Sequence, residues 1–293
     1  MARGLGEHCA GSRGRRMCRG QGPGGDAREV EMFAAAAKVF GTDHATMSLQ
    51  ACREACGGQG YLAANRIGPL KSDSDVFTTF EGDNTVLLQL VAKARLSDFK
   101  RQFRDSQVMG VLRFITDKAG RHWNQSNPIA RRLRSEEHLR SREFVRGALE
   151  LRESSLVESV ARRIQSRTKS GMNVADAFLG VQNHVLAMAR ATMERLVFDA
   201  FAAGVSAAED KQVQAALDQA LDLFGLWRIE ADVGWFLEND IFESGKATAI
   251  RDEVDALIDE VGSNALGFCE AFGIPDECLA APIAFLDPGE RLK

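Results

Sequence analysis

The chain has 293 residues, of which 45% are apolar and 27% are charged, enough to build one large core or two ordinary ones. Its formal net charge of -4 argues against a nucleic-acid partner, which would favour a basic surface. No apolar run approaches the length needed to span a bilayer, and we recognise neither a secretory signal nor, at Arg291-Leu292-Lys293, a Ser-Lys-Leu peroxisomal address, so we expect a cytoplasmic protein.

The first 27 residues differ in composition from the rest of the chain. They are rich in glycine and arginine and contain almost no large apolar side chain. Such a segment cannot offset the entropy cost of becoming ordered, so we expect residues 1–27 to be a disordered leader. A basic arm for nucleic acid is the alternative, but we favour a leader left by a truncated or frameshifted reading frame.

Three helices are predicted in the next part of the chain. The first runs over 28–40 and is expected to end at Gly41, and the second runs from the Thr42-Asp43 pair to the glycines after Cys56. Residues 63–75 are polar and contain glycine and proline, which predicts a loop. The third helix is predicted over about 84–103, with Asp83 or Asn84 as its N-cap.

Beyond these helices the sequence predicts a helical bundle. Residues 105–134 resemble a connector with an arginine cluster, whose alternatives are a phosphate site or an ordinary solvated face. Long amphipathic helices are then predicted over 135–168, 173–203, 207–238 and 246–272, an arrangement that favours an antiparallel bundle. No strand is predicted, so the fold class is all-α.

The cysteines do not indicate a metal site or a disulfide framework. The six residues are spread along the chain without a C-x-x-C pair. Cys52 and Cys56 share one helix face, but cysteines at such positions are more often small core residues than ligands. We therefore predict no metal ligands.

Two short runs carry the strongest chemical signal. Gly57, Gly58 and Gly60 allow positive φ angles and a close approach of a ligand to the backbone, although a helix C-cap would need only one glycine. Glu81 precedes the helix that begins near Asn84, where a carboxylate is also stabilised by the helix dipole without any catalytic role.

These runs resemble the acyl-CoA oxidases of the acyl-CoA dehydrogenase superfamily. The resemblance rests on Gly57–Tyr61 (GGQGY), Phe77–Gln89 (FTTFEGDNTVLLQ) and Ala271–Asp276 (AFGIPD), and extends over about Arg28 to Pro288. It implies a partial C-terminal helical domain over 28–104 and a second helical bundle domain over 135–293. The family's N-terminal helical domain and β-barrel domain have no counterpart that we recognise in the sequence.

The resemblance also implies a chemistry. The family oxidises an acyl-CoA to the trans-2-enoyl-CoA with FAD, in fatty acid β-oxidation, and oxidases pass the electrons to oxygen and form hydrogen peroxide. Glu81 occupies the position of the catalytic base, which must be held against a weak carbon acid in a dry site. The residues that the resemblance assigns to the cofactor are Gly57, Gly58, Gly60, Phe80, Asp83, Asn84 and Thr85.

Two alternatives remain open for the function. The chain could be a non-catalytic helical subunit or relic that forms a homodimer or docks on a partner carrying the other domains. It could also be an acyl-CoA dehydrogenase that uses electron-transferring flavoprotein as its acceptor. Because the acyl pocket would lie largely in other domains, we expect little or no activity from the isolated chain.

Overall fold

The computed structural model describes residues 23–105 and 133–285. Within these ranges the chain forms α-helices and short 3-10 helices and contains no β-strand, which confirms the predicted all-α fold. The α-helices are α1 (Pro23–Ala55), α2 (Ile67–Asp75), α3 (Asn84–Asp105), α4 (Glu136–Leu139), α5 (Arg142–Lys169), α6 (Val174–Leu179), α7 (Gln182–Ala207), α8 (Lys211–Ala231), α9 (Val233–Glu238), α10 (Ser244–Ser263), α11 (Ala265–Glu270) and α12 (Asp276–Leu279). The 3-10 helices are Gly57–Tyr61, Ala63–Asn65, Val76–Thr78 and Pro282–Ala284.

Helix α1 is continuous through the position where we expected a break. Gly41 lies inside it, is exposed, and leaves open space where a side chain would begin. A glycine inside a helix costs only about 1 kcal/mol relative to alanine, and the burial of Ala36 and Val39 against other helices outweighs this cost. The prediction of two helices separated at Gly41 was therefore wrong.

The predicted loop over 63–75 is also mostly helical. Helix α2 begins at Ile67, and Pro69 lies in its first turn, where a missing backbone N–H breaks no helical hydrogen bond. The Lys71 amine donates to Asp75 at 2.9 Å, and the Thr46 hydroxyl of α1 donates to the same carboxylate at 3.1 Å. These bonds hold the end of α2 against α1.

The bundle follows the predicted helices closely. Each predicted long helix is a long helix with a short one beside it, because the backbone turns at Ser141, Gly180, Asp232 and Asn264. Polar caps account for three of the starts. The Ser141 hydroxyl accepts from Phe144 N at 3.2 Å, the Asn173 side-chain oxygen accepts from Asp176 N at 2.9 Å, and the Asp210 carboxylate accepts from Gln212 N at 2.7 Å. The backbone N–H groups of Val213 and Gln212, which both donate to the Asp210 carboxylate, lower its pKa below the ordinary value.

In the described ranges the interior consists of two apolar clusters that share helices α5 and α7. One cluster joins α1 and α3 to them, and it includes the fully buried Val39, Val91, Val160 and Val185. The other cluster joins α8, α9 and α10 to the opposite end of α5 and α7. The segment before the connector therefore packs directly on the bundle.

Buried ion pairs cross the same interface. Glu153 of α5 is 1% exposed and accepts from Arg95 of α3 at 2.6 Å and from Arg195 of α7. Beside it, Arg152 bonds Glu194 at 3.0 Å and Asp232 at 2.8 Å. Removing one partner of such a pair leaves a buried charge uncompensated, and this lowers the stability of the fold.

A buried lysine lies at the far end of the bundle. Lys246 of α10 is fully buried, with its ammonium 4.1 Å from the centre of the Phe144 ring and 5.2 Å from that of Phe242. Its amine is 3.2 Å from His138 Nε2. Burial lowers the pKa of Lys246 to about 8, and burial followed by the nearby Lys246 charge lowers the pKa of His138.

Part of the predicted organisation lies outside the described residues. The leader over 1–27 falls there except for residues 23–27, which belong to α1, so the helix begins before Arg28. Most of the connector over 105–134 also lies outside, including Arg131 and Arg132 of its arginine cluster. Of the cysteines in the described ranges, Cys52 is exposed and Cys56 half-buried, so neither is the small core residue that we expected.

None of the helices in the described ranges is both long and apolar enough to cross a bilayer.

Candidate active site

Glu81 lies on a tight turn between the 3-10 helix Val76–Thr78 and α3. Its φ angle is 56°, a left-handed conformation that is uncommon for a residue with a side chain, and Gly82 follows with a φ of 113°. Glu81 is exposed, and Phe80 before it is 54% exposed. The described residues alone therefore do not enclose the carboxylate in a dry site.

Helix α3 begins at this turn. Asp83 is its N-cap, because the Asp83 carboxylate accepts from Thr85 N at 2.8 Å and the Asp83 carbonyl accepts from Leu87 N at 2.9 Å. Asp83 and Thr85 were both predicted to contact a cofactor. In this structure both residues are exposed, and they also form the start of α3, directly after the turn that contains Glu81.

The turn is anchored on the middle of α1. The Lys38 amine donates to Gly82 O at 2.7 Å and to Asn84 Oδ1 at 2.7 Å. Asn84 is 8% exposed, and its side-chain amide donates to Thr42 Oγ1 at 2.9 Å and to Asp43 Oδ1 at 2.7 Å. Asn84, which we predicted as a cofactor contact, thus bonds α1.

The three predicted glycines have three different surroundings. Gly57 has a φ of 55°, and a Cβ built on it would meet nothing within 4 Å. A Cβ on Gly58 would also meet open space, whereas one on the buried Gly60 would lie 2.0 Å from the backbone oxygen of Arg53. Position 57 favours glycine because of its positive φ angle, and position 60 requires glycine because a side chain would collide with the backbone. The described residues place no such constraint on Gly58.

Arg53 and Asn65 frame the glycine turn. The Arg53 guanidinium lies 4.8 Å from the centre of the Tyr61 ring, and its Nε is buried without a hydrogen-bond partner among the described residues. Asn65 is 3% exposed; its amide donates to Gln59 O at 2.8 Å, and its oxygen accepts from Ile283 N at 3.0 Å. Sequence reasoning found neither residue's role.

The glycine turn and the Glu81 turn lie at different places along α1. Asp43 bonds the segment after Glu81, whereas the glycine turn follows Ala55, about 18 Å further along a helix that rises 1.5 Å per residue. The two sets of predicted residues therefore cannot hold the same small group.

A separate cavity of about 360 Å³ lies between α1, α7 and α8. Its lining mixes charged, aromatic and thioether side chains: Phe40, Asp43, His44, Thr46, Met47, Arg190, Met193, Glu194, Trp227 and Arg228. Burial raises the pKa of Glu194, an effect that Arg228 and Arg152 oppose. None of the predicted site residues lines this cavity, and no group of three or more metal-ligating side chains occurs in the described ranges.

Comparison with known families decides the relationship. The family model described as acyl-CoA oxidase matches residues 141–287, and that described as the acyl-CoA oxidase C-alpha1 domain matches residues 14–96. The chain belongs to the acyl-CoA oxidase family. The second match overlaps the segment 1–27 that we expected to be an unrelated leader.

Individual oxidases resemble the chain over most of its length. Acyl-coenzyme A oxidase 2, peroxisomal, of Arabidopsis thaliana is 36% identical over 256 residues, which cover 87% of this chain and 37% of the relative. The crystal structure of acyl-CoA oxidase 3 of Yarrowia lipolytica has a TM-score of 0.77 at 24% identity and covers 88% of this chain and 36% of its own. The chain thus spans little more than a third of the oxidases that it matches, as the predicted partial fold requires.

A second solved structure shares the fold. Acyl-CoA oxidase-1 of Caenorhabditis elegans, described as complexed with FAD and ATP, has a TM-score of 0.73 at 17% identity and covers 87% of this chain and 37% of its own. At this identity the likeness shows a shared fold.

The expected cytoplasmic location was wrong. Several relatives, including the Arabidopsis oxidase, are named peroxisomal. Our expectation relied on recognising no membrane span, no secretory signal and no terminal Ser-Lys-Leu, and such absences do not decide a compartment.

Proposed function

We propose that this chain supplies the catalytic base and part of the cofactor contact of a FAD-dependent, peroxisomal acyl-CoA oxidase. The observation that carries the proposal is the left-handed Glu81, held on a bonded turn at the start of α3 in a member of this family. Residues in sparsely populated backbone conformations persist where the surrounding structure imposes them, and they cluster at active sites.

The glycine turn fits a ligand with an anionic group and a planar ring, such as the diphosphate and the adenine of FAD. Gly58 leaves open space where a side chain would begin, so a ligand could approach the backbone closely. Arg53 adds a positive charge, and its buried Nε lacks a partner among the described residues. Gly57, Gly58, Gly60 and Arg53 would hold that end of the cofactor, while Phe80, Asp83, Asn84 and Thr85 belong to the turn near the reacting carbons.

Glu81 would remove the proton from Cα of the acyl-CoA. FAD held by these residues would accept the hydrogen that leaves Cβ as hydride, and the same two electrons would then reduce oxygen to hydrogen peroxide. The pair of electrons from the broken Cα–H bond forms the new double bond of the trans-2-enoyl-CoA. Backbone N–H groups at the turn would stabilise charge on the thioester oxygen during this step.

The exposed position of Glu81 suggests that another surface covers it. Tyr61, Phe77, Phe80 and Val86, around the two turns, are all more than half exposed. Exposed apolar surface of this kind marks interaction sites, and a second copy of the chain or a partner subunit would complete the pocket. We therefore expect little turnover by these 293 residues alone.

The first experiment is to purify the chain and measure its flavin absorbance and mass after gel filtration. Bound FAD in a dimer supports the proposal, and acyl-CoA oxidation is then followed by enoyl-CoA and peroxide formation. In whichever form turns over, the chain alone or the chain with added partner domains, Glu81→Gln should keep the flavin and lose enoyl-CoA formation at least about 100-fold, the scale of a general base. A folded chain that never binds FAD, alone or with added partner domains, would favour the non-catalytic alternative.

A further inference from the structure

The contacts of Lys38 give this lysine a role that rests on the proposed function of Glu81. Lys38 lies in the middle of α1, and its half-buried side chain reaches the turn that follows Glu81. The amine donates to the Gly82 carbonyl and to Asn84 Oδ1, both at 2.7 Å. Because the donor is charged, these bonds are stronger than neutral ones.

The atoms that Lys38 binds lie at the point where the backbone changes direction. Glu81 and Gly82 have φ angles of 56° and 113°, so the backbone reverses there between the 3-10 helix and α3. The left-handed form is costly for a residue with a Cβ, and it needs an external contact to persist. The Lys38 bond to the Gly82 carbonyl supplies that contact one residue after Glu81.

The second bond of Lys38 extends the anchor to α7. Asn84 also bonds Thr42 and Asp43 of α1, and the Asp43 carboxylate lies 3.4 Å from the Arg190 guanidinium. Lys38 and Thr42 share a helix face at i and i+4, an arrangement that the continuity of α1 through Gly41 permits.

We propose that Lys38 is a positioning residue, which orients the Glu81 carboxylate by fixing the Gly82 carbonyl and Asn84. Loss of its amine leaves the fold in place but frees the turn. The carboxylate then samples directions that do not face the substrate carbon.

Hydrogen exchange of the full chain tests this inference without requiring turnover. In Lys38→Met, the amides of Phe80, Thr85 and Leu87, which are bonded in the wild type, should exchange about tenfold faster or more, the loss expected for hydrogen bonds from a charged donor. Exchange in α5 and α7 should stay at the wild-type rate. Lys38→Arg should restore most of the protection.

Lys71→Met is the matched control. Lys71 also bonds two oxygen atoms, both in Asp75 at 2.9 Å, but one helix away from the turn. Equal exchange at the turn in wild type and Lys38→Met would overturn the inference. So would an increase in Lys38→Met spread evenly over all helices, or one that Lys71→Met reproduces, because each would indicate general loosening.

Turnover provides the second measurement and separates this inference from the proposed function. If the wild-type chain, alone or with partner domains, oxidises acyl-CoA, Lys38→Met should lower kcat about tenfold or more with little change in KM, and Lys38→Arg should recover it. An unchanged kcat would overturn the positioning role while leaving the function intact. If the wild type shows no turnover in either form, the proposed function fails, and hydrogen exchange alone decides whether Lys38 fixes the turn.

Discussion

Alanine substitutions at the three glycines of the turn should give three different results. The cost at Gly60 comes from the main chain: a Cβ would lie 2.0 Å from the Arg53 oxygen and 2.8 Å from the Arg53 carbonyl carbon. Backbone atoms cannot rotate away as a side chain can, so we expect Gly60→Ala to lower the free energy of unfolding by about 3 kcal/mol, the upper end for overpacking.

The other two glycines face no atom within 4 Å. Gly57 has a φ of 55°, which costs an alanine about 1–2 kcal/mol, so Gly57→Ala should be moderately destabilising. Gly58 has no positive φ, and Gly58→Ala should be neutral or stabilise the chain by up to about 1 kcal/mol through the unfolded state.

Urea unfolding of the three variants followed by circular dichroism gives the order of stability. Flavin content is measured on the same samples. We expect Gly58→Ala to fold as the wild type does but to bind less FAD, because its methyl group would occupy the surface that we propose as the cofactor contact. A Gly58→Ala chain that is less stable than Gly57→Ala would refute the structural reasoning, and one that keeps all its FAD would refute the assignment of Gly58.

Three further predictions concern charges in the bundle. Because the pKa of Lys246 is lowered from 10.5 to about 8, the stability of the wild type should rise as the pH increases between these values. Lys246→Met should therefore raise the free energy of unfolding at pH 7 by at most roughly 3 kcal/mol, reduced by the loss of the contacts with the two rings. In urea titrations this gain should disappear near pH 10.5. Burial first, and then the charge of the neighbouring Asp218, raise the pKa of Asp222 from 3.8 to about 6, so the folded protein loses stability as the pH rises through 6. In thermal melts, Asp222→Asn should be more stable than the wild type at pH 7, by about 1 kcal/mol after screening by solvent. At pH 3 it should be no more stable. Glu153→Gln removes the shared partner of two arginines and should cost about 3–5 kcal/mol in urea unfolding, whereas Asp98→Asn, in an exposed pair, should cost less than about 1 kcal/mol.

Periodic apolar patterns predicted the bundle well. The four predicted spans match the structure within a few residues, although each is divided into a long and a short helix, because their apolar spacing and polar starts, such as Asp210, are local signals. The prediction that a helix ends at Gly41 was wrong. Glycine is only a weak helix breaker, and here the segments on both sides of it pack on α3 and α7. The helix over 67–75 was missed because its short sequence is polar and its stability comes from Thr46 and Lys71.

The candidate site was predicted only in part. A family-like run of residues located Glu81 and the glycines, but no local pattern reveals that Lys38 contacts a carbonyl 44 residues further along the chain. Asn65 is a similar case, since its partner Ile283 is 218 residues away. Sequence reasoning found the residues to which we assign chemistry and missed those that hold them in place.

The bond from Ile283 N to Asn65 Oδ1 closes the chain between these two residues into a loop whose ends meet beside the glycine turn. A force that pulls the segment after α12 away from the protein would act first on Asn65, and through it on the Gln59 carbonyl within the turn. Limited proteolysis near residue 273, where the chain is exposed and Gly273 has a φ of 62°, would therefore loosen a region that is distant in sequence. A spectroscopic label near Gly58 would detect that cut.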